Sequence, residues 1–203
     1  MDETIFIDGL VGQLEAITSD LSPNSERIVI ICHPHPLFQG TMHNKVITTI
    51  AKAFQLKNYA SVRFNYRGVG KSAGNYGDIA GEVDDCLSVY NWVLQKVPHA
   101  KISLAGFSFG AFISASVANQ KKCEQLISVA PAVNNADFLS LKNISCPWFV
   151  FQAEADELIP AKDLENFVAQ TQVPVELIQF PGASHFFHGK LIELREAIVN
   201  VIL

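Results

Sequence analysis

Three polar residues far apart in the chain have the types and settings that acyl transfer requires. The first is Ser108, in the run Gly106-Phe107-Ser108-Phe109-Gly110. An apolar stretch leads into it and a small-residue stretch leads out, which fits a sharp strand-to-helix turn. Such a turn exposes the hydroxyl at the strand end, and flanking glycines leave space where a Cβ would crowd the neighbouring elements. The helix beyond adds free N–H groups and the positive end of its dipole.

A serine hydroxyl is a poor nucleophile without a base. The segment Phe180-Pro181-Gly182-Ala183-Ser184-His185-Phe186-Phe187-His188 supplies two candidates. His185 is the nearer to the end of the last apolar strand and is the base we expect. His188 reads as a solvent-facing or capping residue, and His43 and His99 read as surface positions. Asp156, three residues past the apolar run Trp148–Ala153, is placed to orient an imidazole and stabilise its protonated form. Glu154 is the runner-up for that role and Glu157 a weaker one.

A second chemistry competes. His33 and His35, each followed by proline, end another apolar run, and such a pair suits a metal-dependent hydrolase. A metal site needs further ligands, and no additional His/Asp cluster accompanies the pair, so no metal or other cofactor is expected. Gly70-Lys71-Ser72 imitates the end of a phosphate-binding loop, but the glycine required five positions earlier is Asn65 and no helix follows directly. Arg67 reads as an anchor for a turn there.

These residues need a frame that brings them together. Residues 4–9 and 12–18 read as a hairpin. Apolar runs of strand length lie at 27–33, 59–66, 101–107, 125–131, 147–153 and 175–180. Between them are helical patterns at 44–55, 81–97, 109–120, 161–171 and 190–203. In the second of these, Val83, Leu87, Tyr90, Leu94 and Val97 are expected to face the core and Asp84, Asp85, Ser88 and Gln95 to face away. Continuous apolar strands alternating with amphipathic helices predict a mostly parallel sheet with helices on both faces. Right-handed crossovers then put the strand C-termini on one edge, where ligands of such sheets bind.

Composition narrows the function classes. The chain of 203 residues is 49% hydrophobic and 17% charged, which suits one globular domain spanning 1–203. A net charge of −5 argues against sequence-independent nucleic-acid binding. No apolar run is long enough to span a bilayer, and the N-terminus lacks a basic signal region. Cys32, Cys86, Cys123 and Cys146 are scattered, as expected of reduced thiols in a cytoplasmic protein. Oligomeric state is not encoded in any pattern found.

The order Ser108, Asp156, His185, each after a different strand, resembles the α/β-hydrolase superfamily across nearly the whole chain. Closer still, "HPHPLFQGTMHNKV" with "RFNYRGVGKSAG" is similar to small bacterial serine hydrolases of esterase or dienelactone-hydrolase type. The resemblance implies an eight-stranded, mostly parallel sheet. The short stretch "AVNNADFLSLKNIS" stands where relatives insert a cap, so no large cap is expected. It also implies an oxyanion hole built from the Phe109 N–H and an N–H of the loop after residue 33. Pro34 and Pro36 have no N–H, which leaves His35 as first choice, Leu37 as second, and Phe38.

The resulting expectation is an esterase that acts on a small acyl substrate through Ser108, His185 and Asp156. Phe38, Phe107, Phe186 and Phe187 are candidates for the substrate pocket. A thioesterase or small-peptide hydrolase would use the same residues. A metal-dependent hydrolase at His33 and His35, or a non-catalytic binding protein on this scaffold, are the alternatives of other classes.

Overall fold

The computed structural model describes residues 2–203. Strands β1 (Asp2–Gly9) and β2 (Gly12–Ser19) form the hairpin. There follow β3 (Arg27–Cys32), α1 (Lys45–Leu56), β4 (Ala60–Phe64), α2 (Ala80–Lys96), β5 (Lys101–Phe107) and α3 (Phe109–Ala118). The chain ends with β6 (Leu126–Val129), β7 (Trp148–Ala153), α4 (Ala161–Gln170), β8 (Glu176–Phe180) and α5 (Leu191–Val201). All eight strands join one sheet in the order β1-β2-β4-β3-β5-β6-β7-β8. β1 and β2 pair antiparallel, as do β2 and β4, and the remaining neighbours are parallel.

The apolar runs are continuous because both faces of the sheet are covered. In β3, Ile28, Ile30 and Cys32 enter one core, which packs against α2, α3 and α4. Val29 and Ile31 enter the other, beneath α1 and α5. Alternating residues of a strand point to opposite faces, so each must be apolar. From β3 the chain crosses to β4 on one side, then returns to β5 on the other. The reversal opens a crevice between the C-terminal ends of β3 and β5, the usual place for a ligand in such sheets.

Helix α2 departs from the expected pattern. Its buried line is Glu82, Asp85, Cys86, Val89, Tyr90 and Val93, while Val83, Leu87 and Leu94 are only half-buried. The carboxylates turn inward because the loop before α2 needs them. Asp85 receives the Arg67 backbone N–H at 2.8 Å and the guanidinium through Nη2 at 2.7 Å and Nε at 3.0 Å. Glu82 accepts the N–H groups of Gly77 (2.8 Å) and Ile79 (2.9 Å). Buried charge is tolerated when every oxygen is paired in this way. Arg67 is thus the anchor of its turn. The Lys71 and Ser72 amides are also occupied: Lys71 N–H donates to Glu15 Oε2 at 2.9 Å and Ser72 N–H to Val69 O at 2.9 Å.

Between β6 and β7 the only helical piece is the short 3-10 turn Phe138–Ser140. Among the described residues, no cap domain is inserted there. Among the described residues, no helix is long and apolar enough to cross a membrane.

Candidate active site

Ser108 sits between β5 and α3 with φ 55° and ψ −117°. A non-glycine residue in that region stores about 1–3 kcal/mol of strain. The surroundings hold it there: its N–H donates to Val129 O at 2.9 Å, and its carbonyl accepts from Ala111 N–H at 3.0 Å. The flanking glycines are steric necessities. A Cβ on Gly106 would lie 2.1 Å from Gly110 O, and one on Gly110 would lie 2.2 Å from Cys32 O. The first turn of α3 therefore rests directly on the end of β3, which brings Phe109 beside the loop that leaves that strand.

His185 and Asp156 converge on the serine from the ends of β8 and β7. His185 Nε2 is 3.0 Å from Ser108 Oγ, and His185 Nδ1 is 2.8 Å from Asp156 Oδ2. A carboxylate only accepts, so Nδ1 carries the proton and Nε2 presents its lone pair to the serine hydroxyl. The second carboxylate oxygen of Asp156 accepts N–H bonds from Leu158 (2.9 Å) and Ile159 (2.8 Å). Both side chains are shielded, at 2% exposure for His185 and 3% for Asp156. Glu157 has a different function from the one sequence considered, since its Oε2 accepts the His185 backbone N–H at 3.1 Å. Glu154 is exposed and makes no hydrogen bond to His185 among the described residues. His188 lies on the surface, with its ring stacked on Phe186 at 5.8 Å.

The loop after β3 answers whether His33 and His35 are ligands or braces. His33 is fully buried, with Nδ1 2.7 Å from Pro34 O and Nε2 3.2 Å from Tyr66 N. The carbonyl fixes the proton on Nδ1, and Nε2 accepts the Tyr66 N–H, so no lone pair remains for a metal. Burial pushes its pKa down to about 3, so the ring is neutral. Burial also lowers the pKa of His35. Its Nδ1 accepts the Leu37 N–H at 3.2 Å and its ring lies 4.5 Å from that of Phe109.

These bonds bear on the amides expected to hold an oxyanion. The N–H of Leu37, the second choice from sequence, donates to the His35 imidazole at 3.2 Å. Phe38 N–H is likewise taken, by His35 O at 3.1 Å. Among the described residues, the His35 and Phe109 amides carry no hydrogen bond. Gly40 allows the tight closure, since a Cβ there would sit 2.0 Å from Pro34 O.

Two of the four proposed pocket phenylalanines are corrected. Phe107 and Phe187 have no exposed surface and belong to the core under α1 and α5. Phe107 backs the His185 ring at 5.0 Å from beneath instead of lining an open surface. Phe38 and Phe186 are open, at 83% and 37% exposure. Sequence reasoning overlooked Asn65, which ties the site together. Its Oδ1 accepts Met42 N–H at 2.9 Å and its Nδ2 donates to Glu15 at 2.9 Å, pinning the far end of the β3 loop. A polar amide near the C-terminal end of the apolar run 59–66 was the available signal.

The comparisons with known proteins bear on this geometry. The model of the family described as serine aminopeptidase, S33, matches residues 23–141. An alpha-beta serine hydrolase homologue from Coxiella burnetii superposes with a TM-score of 0.94 at 49% identity, covering 99% of this chain and 97% of that one. The chain belongs to the α/β-hydrolase superfamily, in the family of that model. This hydrolase is also similar to a serine hydrolase without lid from Xanthomonas campestris, with TM-score 0.91, 36% identity, and coverage of 98% and 92%. An uncharacterised protein of Rickettsia prowazekii is 31% identical over 98% of this hydrolase and 88% of its own length.

Proposed function

We propose that this hydrolase cleaves carboxylic esters through an acyl-enzyme on Ser108, acting as a single domain. Ser108 attacks the carbonyl while His185 takes its proton. Asp156 holds the imidazole in the required tautomer and balances its charge. The N–H groups of Phe109 and His35 stabilise the oxyanion, each worth about 3–4 kcal/mol in the transition state. The Oγ–acyl bond forms, the ester C–O bond breaks, and the His185 proton passes to the departing alcohol oxygen. Water, deprotonated by the same Nε2, then releases the acid.

The observation that carries this reading is the unbroken line Asp156 Oδ2 to His185 Nδ1 at 2.8 Å and His185 Nε2 to Ser108 Oγ at 3.0 Å. The Phe109 and His35 amides, which carry no hydrogen bond among the described residues, complement it. Esters are favoured over amides because an alcohol leaves with little assistance. The open, uncapped edge supports small esters with free access. The test is hydrolysis of a series of p-nitrophenyl esters of increasing acyl length beside matched thioesters and aminoacyl anilides. The reading expects ester turnover that disappears in Ser108→Ala. Turnover of anilides or thioesters in preference to every ester would replace it with the peptidase or thioesterase reading.

A further inference from the structure

The turn after the base sorts its side chains by direction. Phe187 adopts φ 52°, and its N–H closes back on Ser184 O at 2.9 Å. His185 and Phe187 therefore point into the protein, whereas Phe186 and His188 point out. The Phe186 ring stands at 89° to the His185 imidazole, with centroids 5.1 Å apart, and rests on Phe107 at 5.8 Å. Its other ring neighbour is His188, stacked at 22° and 5.8 Å. Among the described residues, His188 makes no hydrogen bond or ion pair, so the stacking contact is what orients it. The result is a two-ring aromatic surface, one phenyl and one imidazole, standing beside the base.

Its place in the reaction follows from the proton. In the proposed mechanism, on which this inference rests, His185 Nε2 delivers its proton to the leaving oxygen. That oxygen must then lie within hydrogen-bond reach of Nε2, about 3 Å. The oxyanion is assigned to other groups, the Phe109 and His35 amides, which carry no hydrogen bond among the described residues. Whatever is attached to the leaving oxygen is thereby held near the His185 ring, against which Phe186 stands at 5.1 Å. A flat ring one bond further out would have Phe186 as an aromatic partner, and such pairs prefer centroid separations of roughly 4.5–7 Å.

We propose that Phe186 and His188 form an aryl-binding platform for the leaving group, and that this site takes esters of benzylic or aromatic alcohols. The two-ring surface discriminates by shape and π-face. It acts on the alcohol side of the ester and leaves the acyl side to the open edge around Phe38.

The test compares benzyl acetate with its saturated counterpart, cyclohexylmethyl acetate. The two share an acyl group and a similar apolar volume. In the wild-type enzyme kcat/KM favours the benzyl ester. In Phe186→Leu, which keeps apolar bulk but removes the ring, that preference falls by about 3- to 10-fold. His188→Leu reduces it in the same direction. A preference unchanged in both variants, or absent in the wild type, overturns the proposal. Ring-proton NMR shifts of Phe186 on titrating benzyl alcohol into Ser108→Ala read the platform without turnover. Shifts there in an enzyme that cleaves no ester would count against the catalytic reading while supporting the platform.

Discussion

Gly110→Ala is the perturbation whose consequence can be worked most directly from the structure. The new Cβ would meet Cys32 O at 2.2 Å and His33 O at 2.5 Å, both backbone atoms at the end of β3. Ordinary contact begins near 3.4 Å, so the two elements must part by about 1.2 Å. That gap opens between Phe109 and His35, the two amides proposed to hold the oxyanion. A misplacement of about 1 Å costs on the order of 100-fold in rate, and loss of one donor costs about 100- to 1,000-fold. Overpacking adds about 1–3 kcal/mol of destabilisation, a fall in Tm of roughly 3–10 °C for a chain of this length. The assay is kcat on a p-nitrophenyl ester together with a thermal melt, with circular dichroism confirming the fold. A Gly110→Ala enzyme with native kcat and native Tm would refute the reasoning that α3 rests on β3 to shape the oxyanion hole.

Other substitutions probe the remaining contacts. Asp156→Asn should lower kcat by about 10³- to 10⁴-fold with the fold intact, because the amide favours the wrong imidazole tautomer. Steady-state kinetics beside a melt checks this. Asp85→Ala strands the buried Arg67 guanidinium and should cost about 3–5 kcal/mol in denaturant unfolding. A loss below 1 kcal/mol would mean that water relieves the charge. His33 is neutral in the fold with a pKa of about 3, whereas the unfolded chain binds its proton near the ordinary value of 6.5. Below pH 6.5 the unfolded state takes up more protons. His33 therefore removes stability as pH falls towards 3, by about 1.4 kcal/mol per pH unit. Urea titrations between pH 6.5 and 4.5 should show that slope in the wild type and a shallower one in His33→Gln. Equal slopes would contradict the buried neutral assignment.

Much of this arrangement was legible because it is set by backbone direction. Ser108, Asp156 and His185 each follow a different apolar run, and parallel strands must end on one edge. Their types and positions were enough to bring them to the same place on paper. What escaped depends on partners known only in three dimensions. Asp85 looks like a solvent-facing position of α2 until the Arg67 guanidinium is seen to need it. Leu37 looks available, second to His35, until the His35 ring is found accepting its N–H. Phe186 and Phe187 are adjacent and identical in type, and only the positive φ at Phe187 sends one to the surface and the other to the core.

The central claim is that Ser108 is a nucleophile activated by His185, and covalent labelling tests it most directly. The folded protein is treated with a fluorophosphonate and measured by intact mass and peptide mapping. The account expects a single adduct, located on Ser108, absent in Ser108→Ala and formed far more slowly in His185→Ala. A folded wild-type protein that gains no mass, or gains it on another residue, would contradict the account.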